Sequence, residues 1–115
     1  MNKIIGIGID IVDVKRFEKM KYEENKKFYS KIFSDEEIQY CLKFKNPYER
    51  FAGKFALKEA VIKSIPEKIM MNEIDTYHEN SIPQIKIKRI KKKIVFFASI
   101  THEKKNSVAV VIALK

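Results

Sequence analysis

Isoleucine and valine crowd the segment from Ile4 to Val14, Ile-Ile-Gly-Ile-Gly-Ile-Asp-Ile-Val-Asp-Val, and this β-branched run predicts a strand. Side chains alternate along a strand. Ile5, Ile7, Ile9 and Ile11 therefore share one face, and Gly6, Gly8, Asp10 and Val12 share the other, a carboxylate beside two bare backbone positions. Glycine there lets another backbone or a ligand come close. From Val14 to Ile32 the pattern is helical with one irregularity, and Asp13 is placed as the helix N-cap. Ser34-Asp35-Glu36-Glu37 reads as a capping box that starts a new helix, expected to stop before Asn46-Pro47. A third helix is predicted from Pro47 to Ser64, halted by Pro66.

After Pro66 the periodicity turns to that of strands. Glu73 to His78 and Ile82 to Ile90 predict two strands joined by Glu79-Asn80-Ser81, with Pro83 near the start of the second. Ile94 to Thr101 and Ser107 to Leu114 predict a hairpin across His102 to Asn106. No internal repeat or linker interrupts the chain. One N-terminal strand, a set of helices and a run of antiparallel strands give an α+β fold, expected as one domain over residues 1–115.

Composition narrows the partners. Twenty-four Lys and Arg against 15 Asp and Glu give a net charge of +9, a field that draws anions: nucleic acid, an anionic membrane, a phosphorylated small molecule or an acidic protein. A solvated lysine-rich surface accounts for the charge equally well. The single cysteine, Cys41, has no internal disulfide partner and is expected in the core. The apolar runs Ile94 to Ile100 and Val108 to Leu114 are far shorter than the ~20 residues that span a bilayer, and Met1-Asn2-Lys3 leads into a strand rather than a leader. A cytoplasmic location and no membrane partner are expected.

The helix Phe51 to Lys63 holds the chemistry. At about 100° per residue, Phe51, Ile62, Phe55, Glu59, Ala52, Lys63 and Ala56 fall on one arc, with Glu59 in its middle. A carboxylate among apolar neighbours needs a proton or a cation. An ordinary Glu59–Lys63 helix pair, worth about 0.3 to 0.5 kcal/mol, would serve. Asp10 is a second acid on an apolar element, and two such acids point to a shared divalent ion. Oxygen ligands alone suit Mg²⁺, which takes one or two carboxylates and completes its shell with water and substrate phosphates. Arg16 is either a surface charge or a partner contact, His102 stands at a strand end, and His78 carries less signal still. A Walker loop, zinc-ligand spacing, a nucleophile elbow and a full dinucleotide fingerprint are all missing from the sequence.

Gly6-Ile7-Gly8-Ile9-Asp10-Ile11-Val12 with Arg16-Phe17, then Phe51 to Ala60, then Ser99-Ile100-Thr101-His102-Glu103 resemble three signatures of holo-acyl-carrier-protein synthases, in the family's order and spacing. Ile32 to Glu37 and Glu73-Ile74-Asp75 resemble weaker family segments between them. The resemblance implies a 4′-phosphopantetheinyl transferase fold with one long central helix, assembled as a homotrimer with active sites between subunits. It implies Mg²⁺-dependent transfer of 4′-phosphopantetheine from coenzyme A to a serine of apo acyl carrier protein, releasing 3′,5′-ADP in support of fatty acid biosynthesis. Asp10 and Glu59 match the magnesium-binding acids, Lys63 a lysine on the coenzyme A phosphates, His102 a histidine near the nucleotide phosphates and Arg16 a residue facing the acidic carrier. With Asp10 and Glu59, Lys63 completes the expected catalytic set. Lys54 stands where the family usually has an arginine on the ligand, which would turn a bidentate contact into a point charge. Ser64-Ile65-Pro66-Glu67 replaces a glycine-containing turn, and Asn80-Ser81-Ile82 a hairpin glycine.

Two rival expectations are distinguishable. A basic nucleic-acid-binding module would bind DNA or RNA with steep salt dependence and no metal, but Phe51 and Phe55 share their arc with alanines and read as core, so no nucleic acid is expected. A carrier-protein binder without catalysis would leave Asp10 and Glu59 without a purpose.

Overall fold

The computed structural model describes residues 3–90 and 93–115. Strand β1 (Ile4–Asp13) leads into helix α1 (Val14–Glu18), a 3₁₀ turn (Tyr22–Glu24) and helix α2 (Lys26–Ile32). Helices α3 (Asp35–Leu42) and α4 (Pro47–Ser64) follow. A second 3₁₀ turn (Met71–Glu73) precedes strands β2 (Ile74–Glu79), β3 (Ile82–Ile87), β4 (Val95–His102) and β5 (Asn106–Leu114). The expected helix from Val14 to Ile32 is thus two short helices around a 3₁₀ turn, and the second hairpin strand stops at Ile87 rather than Ile90. Part of the basic stretch Lys86 to Lys93 lies outside the described residues.

Local chemistry explains the boundaries. Asp13 accepts the Lys15 amide at 2.9 Å and caps α1 as expected. The capping box of α3 is complete: Glu37 N–H donates to Ser34 Oγ, and Ser34 N–H donates to Glu37 Oε1. Asn46 caps α4 and Pro47 opens it, while Ile65, forced extended before Pro66, ends it. The β2–β3 hairpin turns on Asn80 (φ 53°) and Ser81 (φ 66°), both left-handed, a conformation that asparagine tolerates and serine adopts at some cost.

Strands β1, β5 and β4 form an antiparallel sheet in that order, and β2–β3 form a separate hairpin. α4 packs on β1 and β5. The Gly6, Gly8 and Val12 side of β1 faces α4, where Cβ atoms on the two glycines would collide with the Ser64 and Ala60 carbonyls. Another backbone, that of α4, is thus what the glycines admit. The opposite face is open: Ile7, Ile9 and Ile11 are each about 60% exposed, beside exposed Phe97 and Val110.

The core corrects the single-arc reading of the central helix. α4 is buried on nearly all sides from Phe51 to Leu57, because α1, α3 and the β2 hairpin cover what the sheet does not. Phe17, Tyr29, Phe33, Phe51 and Phe55 make an aromatic cluster under it. Cys41 is fully buried as expected, and burial pushes its thiol up to about 12.

Candidate functional site

The central helix crosses the sheet diagonally. Gly53 meets the His102 ring on β4, and Ala60 meets Gly8 on β1, so the two ends of α4 serve opposite edges of the sheet. Each end carries polar chemistry of a different kind.

At the β1 edge, Lys63 Nζ donates to Asp10 Oδ1 at 3.1 Å and to the Ile9 carbonyl at 3.0 Å. Lys63 therefore pairs with Asp10 rather than with Glu59 one turn back. The Asp10 carboxylate is mostly shielded, its side chain 18% exposed, while that of Lys63 is 50% exposed. Asp10 is two residues beyond Gly8 on the same strand face and Glu59 adjoins Ala60, so both acids neighbour one of the two points, Gly8 on Ala60, where β1 and α4 come backbone to backbone. Glu59 is half-buried, the least buried position between Phe51 and Val61. A cavity of about 360 Å³ opens here, lined by Ile9, Asp10, Ile11, Lys63 and Val108. Among the described residues no three acidic, histidine or cysteine side chains converge on a metal position. Two carboxylates are what Mg²⁺ takes from protein when phosphate and water complete its shell, so Asp10 and Glu59 fit that ion.

At the β4 edge a cleft of about 390 Å³ is lined by Tyr40, Arg50, His78, Ser81, Pro83, Ser99, Ile100 and His102. None of these carries negative charge. Tyr40 and His78 stack with ring centroids 5.4 Å apart, and the Arg50 guanidinium rests 4.0 Å over Phe44. Ser107 Oγ donates to the Glu49 carbonyl at 3.3 Å and lies 3.0 Å from His102 Nδ1. With its proton so engaged, Ser107 accepts from Nδ1, which leaves His102 Nε2 without a proton in the neutral ring. Burial, then the charges of Lys54, Arg50 and His102, pull His78 below the ordinary histidine value. Burial and Arg50 do the same to His102, opposed by Glu49.

Beneath the cleft is a buried polar network. Lys58 Nζ donates to Glu37 Oε1 at 2.7 Å, to Ile32 O at 2.7 Å and to Met71 O at 3.2 Å. Glu37 Oε2 accepts from the Thr76 amide and hydroxyl. Burial pushes the Glu37 carboxyl up, but the Lys58 charge and the bonds from Lys58, Thr76 and Ser34 outweigh it and hold the group below its ordinary value. Lys54 Nζ donates to Thr76 O at 3.1 Å and Oγ1 at 2.9 Å. Its ammonium is sealed inside, and burial draws it below the ordinary lysine value despite Glu37.

The predicted site residues therefore fall into separate places. Asp10, Glu59 and Lys63 gather at one edge, and His102 stands at the other. Lys54 lies under the cleft without lining it. Arg16 is exposed on α1, its guanidinium 4.8 Å over the Phe55 ring. Arg50 and Tyr40 escaped the sequence reading, and His78 carries little weight in it, because α4, β2 and α3 converge only in three dimensions. The Glu37–Lys58 pair hid inside a capping box whose second partner lies 21 residues away.

A family model described as the 4′-phosphopantetheinyl transferase superfamily matches residues 6–113. The holo-[acyl-carrier-protein] synthase of Thermodesulfovibrio yellowstonii is 38% identical over 112 residues, covering 95% of this chain and 97% of that protein. Its counterpart in Mycoplasma mycoides subsp. mycoides is 41% identical over 114 residues, covering 97% and 94%. Among solved structures, a Bacillus anthracis holo-(acyl-carrier-protein) synthase in complex with CoA (3′,5′-ADP) superposes with a TM-score of 0.82 at 28% identity, over 97% of each chain. The Helicobacter pylori holo-[acyl-carrier-protein] synthase in complex with coenzyme A gives 0.76 at 32% identity, over 93% of this chain and 98% of that one.

Proposed function

The chain belongs to the 4′-phosphopantetheinyl transferase superfamily and is an enzyme of the holo-acyl-carrier-protein synthase family, and from that premise we propose a division of labour between its two polar edges. It transfers 4′-phosphopantetheine from coenzyme A to a serine of apo acyl carrier protein. The carrying observation is the placement of Asp10 and Lys63 in contact, with Glu59 beside the same strand crossing.

Asp10 and Glu59 hold Mg²⁺, which supplies charge neutralisation to the coenzyme A pyrophosphate when bound. The serine Oγ attacks the β-phosphorus, a new P–O bond forms, and the bond to the oxygen retained by 3′,5′-ADP breaks. Lys63, already turned to Asp10, offsets charge on the leaving 3′,5′-ADP. Glu59 is the candidate to accept the serine proton. His102 faces the nucleotide from the cleft. Lys54 supports that cleft from below through Thr76, and Arg16 on α1 meets the acidic carrier protein. The supply of holo carrier protein serves fatty acid biosynthesis, in the cytoplasm. No helix among the described residues is long and apolar enough to cross a membrane.

The two polar edges lie on opposite sides of one sheet. Arg50 and Glu59, nine positions apart, are separated by about 13 Å along α4 and about half a turn around it. A ligand meeting both edges is best held between two copies, the β1 edge of one against the β4 edge of the next, a head-to-tail contact that closes into a ring. The open apolar face of Ile7, Ile9, Ile11, Phe97 and Val110 supplies surface for such an assembly, here proposed as a homotrimer.

The test is the intact mass of apo acyl carrier protein incubated with this protein, coenzyme A and Mg²⁺, with an EDTA control. A gain of about 340 Da that EDTA abolishes supports transfer and the ion together. No gain with several carrier proteins overturns the reading.

A further inference from the structure

We infer that the end of the sheet opposite α1 is a docking surface for an anionic lipid bilayer, with Met70 as its apolar tip and exposed lysines and Arg89 around it. The strand registers define that end. Ile4 pairs with Leu114 and Leu114 with Val95, while Asp13, which caps α1, pairs with Asn106 at the other end. α4 finishes at the same end as Ile4, its Ser64 carbonyl lying against Gly6, and the loop that follows carries Lys68 and Met70.

From Lys86 to Lys93 the sequence holds six cations and no acid. The described part of this stretch is anchored: Ile85, Ile87, Ile90 and Ile94 line the crease between β3 and β4 and pack on the core. Lys86, Lys88, Arg89 and Lys93 are left exposed. The Arg89 guanidinium is braced by Glu73 and by the Lys68 carbonyl at 2.6 Å, which ties the Met70 loop to the basic stretch. Glu73 and Asp75 take one cation each, Arg89 and Lys88, yet those two side chains stay 59% and 57% exposed. Lys3 and Lys68 add exposed cations. Against the acids Glu67, Glu73 and Asp75, this end keeps an excess of positive charge.

Met70 decides between anions. Its side chain is 68% exposed, more than any other large apolar residue described, in the loop that Arg89 braces. An apolar side chain beside cations gains by entering the headgroup boundary of an anionic leaflet, where the lysines stay with the phosphates. A nucleic-acid backbone would leave it in water. Arg16, proposed above to meet the acidic carrier, is at the other end of the sheet. A surface contact of this kind needs no spanning segment.

The experiment is co-sedimentation of the full chain with vesicles of phosphatidylcholine alone and of phosphatidylcholine mixed with phosphatidylglycerol, at low and high salt. Binding is expected only with phosphatidylglycerol, and weaker as salt rises. Lys88→Gln combined with Lys93→Gln should weaken it by about 10- to 30-fold. The matched pair Lys15→Gln and Lys19→Gln removes the same charge beside α1 and should change it less than about twofold. Met70→Ser should weaken binding about fivefold at either salt, with the melting temperature unchanged. An equal loss in the two lysine pairs would make the attraction a property of net charge and overturn the assignment. So would no binding to either vesicle, equal binding to both, or full affinity in Met70→Ser. Tighter binding to single-stranded RNA or duplex DNA than to the phosphatidylglycerol vesicles, at equal phosphate, would replace the bilayer by nucleic acid.

Discussion

The Glu37 carboxylate lies 2.7 Å from the Lys58 ammonium with both side chains sealed from solvent, and it also ties the start of α3 to Thr76 on β2. One acid thus joins α3 and β2 to the central helix through Lys58, the residue next to Glu59 in sequence. Removing one partner strands the other charge. Lys58→Met should cost about 3 to 5 kcal/mol in urea denaturation, because Glu37 is left uncompensated in a buried site. The double variant Glu37→Leu, Lys58→Met should be less destabilised than the sum of the singles. Strict additivity would show that the pair does not interact energetically.

Gly8 and Gly53 should respond differently to alanine. At Gly8 the new Cβ meets the Ala60 carbonyl, backbone of α4 that cannot move cheaply, so Gly8→Ala should lose about 1 to 3 kcal/mol or fail to fold. At Gly53 it meets only the His102 ring, a side chain that can swing away from Ser107. Gly53→Ala should keep most of its stability, as measured by thermal melting, and show a raised KM for coenzyme A.

The acids at the β1 edge should matter to turnover far more than to folding. Glu59→Gln and Asp10→Asn should each lower kcat by at least about 100-fold while circular dichroism and melting stay close to wild type. Near-normal turnover in Glu59→Gln would remove that residue from the metal site.

Acidity should act in two separate windows. His78 and His102 have folded pKa values below 6.5, so the unfolded chain takes up their protons first. Their contribution is complete above about pH 6.5 and is lost as pH falls below it toward the folded values. The melting temperature should therefore drop between pH 7.5 and 5.5, and His78→Gln should flatten that slope. Glu37, held below 4.5, acts later: its contribution is present above 4.5 and disappears as pH falls through its lower folded value.

The open sheet face should carry assembly. Ile9→Lys places a charge at the middle of the row formed by Ile7, Ile9 and Ile11, and sedimentation should show the assembly shifting to monomer with a parallel loss of transfer. A variant that is fully active as a monomer would show that each chain completes its own site.

Much of this molecule is written locally. The Ser34–Glu37 box, the Asn46-Pro47 start, the Ile65-Pro66 stop and the glycine-marked face of β1 act over a few residues, and each could be read from spacing alone. Asp10, Glu59 and Lys63 stood out because charge on apolar elements is costly and invites a reason. Lys54 and Lys58 gave no such sign, since a lysine on a helix is ordinary until the neighbouring elements close over it. What the sequence could not decide is which side of each element meets which partner. Only the packing of α3, β2 and the sheet around α4 turns Lys58 inward onto Glu37, spends Lys54 on Thr76 and leaves Arg50 facing the cleft. Burial is a property of the assembled surfaces, and desolvation, which sets what each charge does, exists only once those surfaces have met.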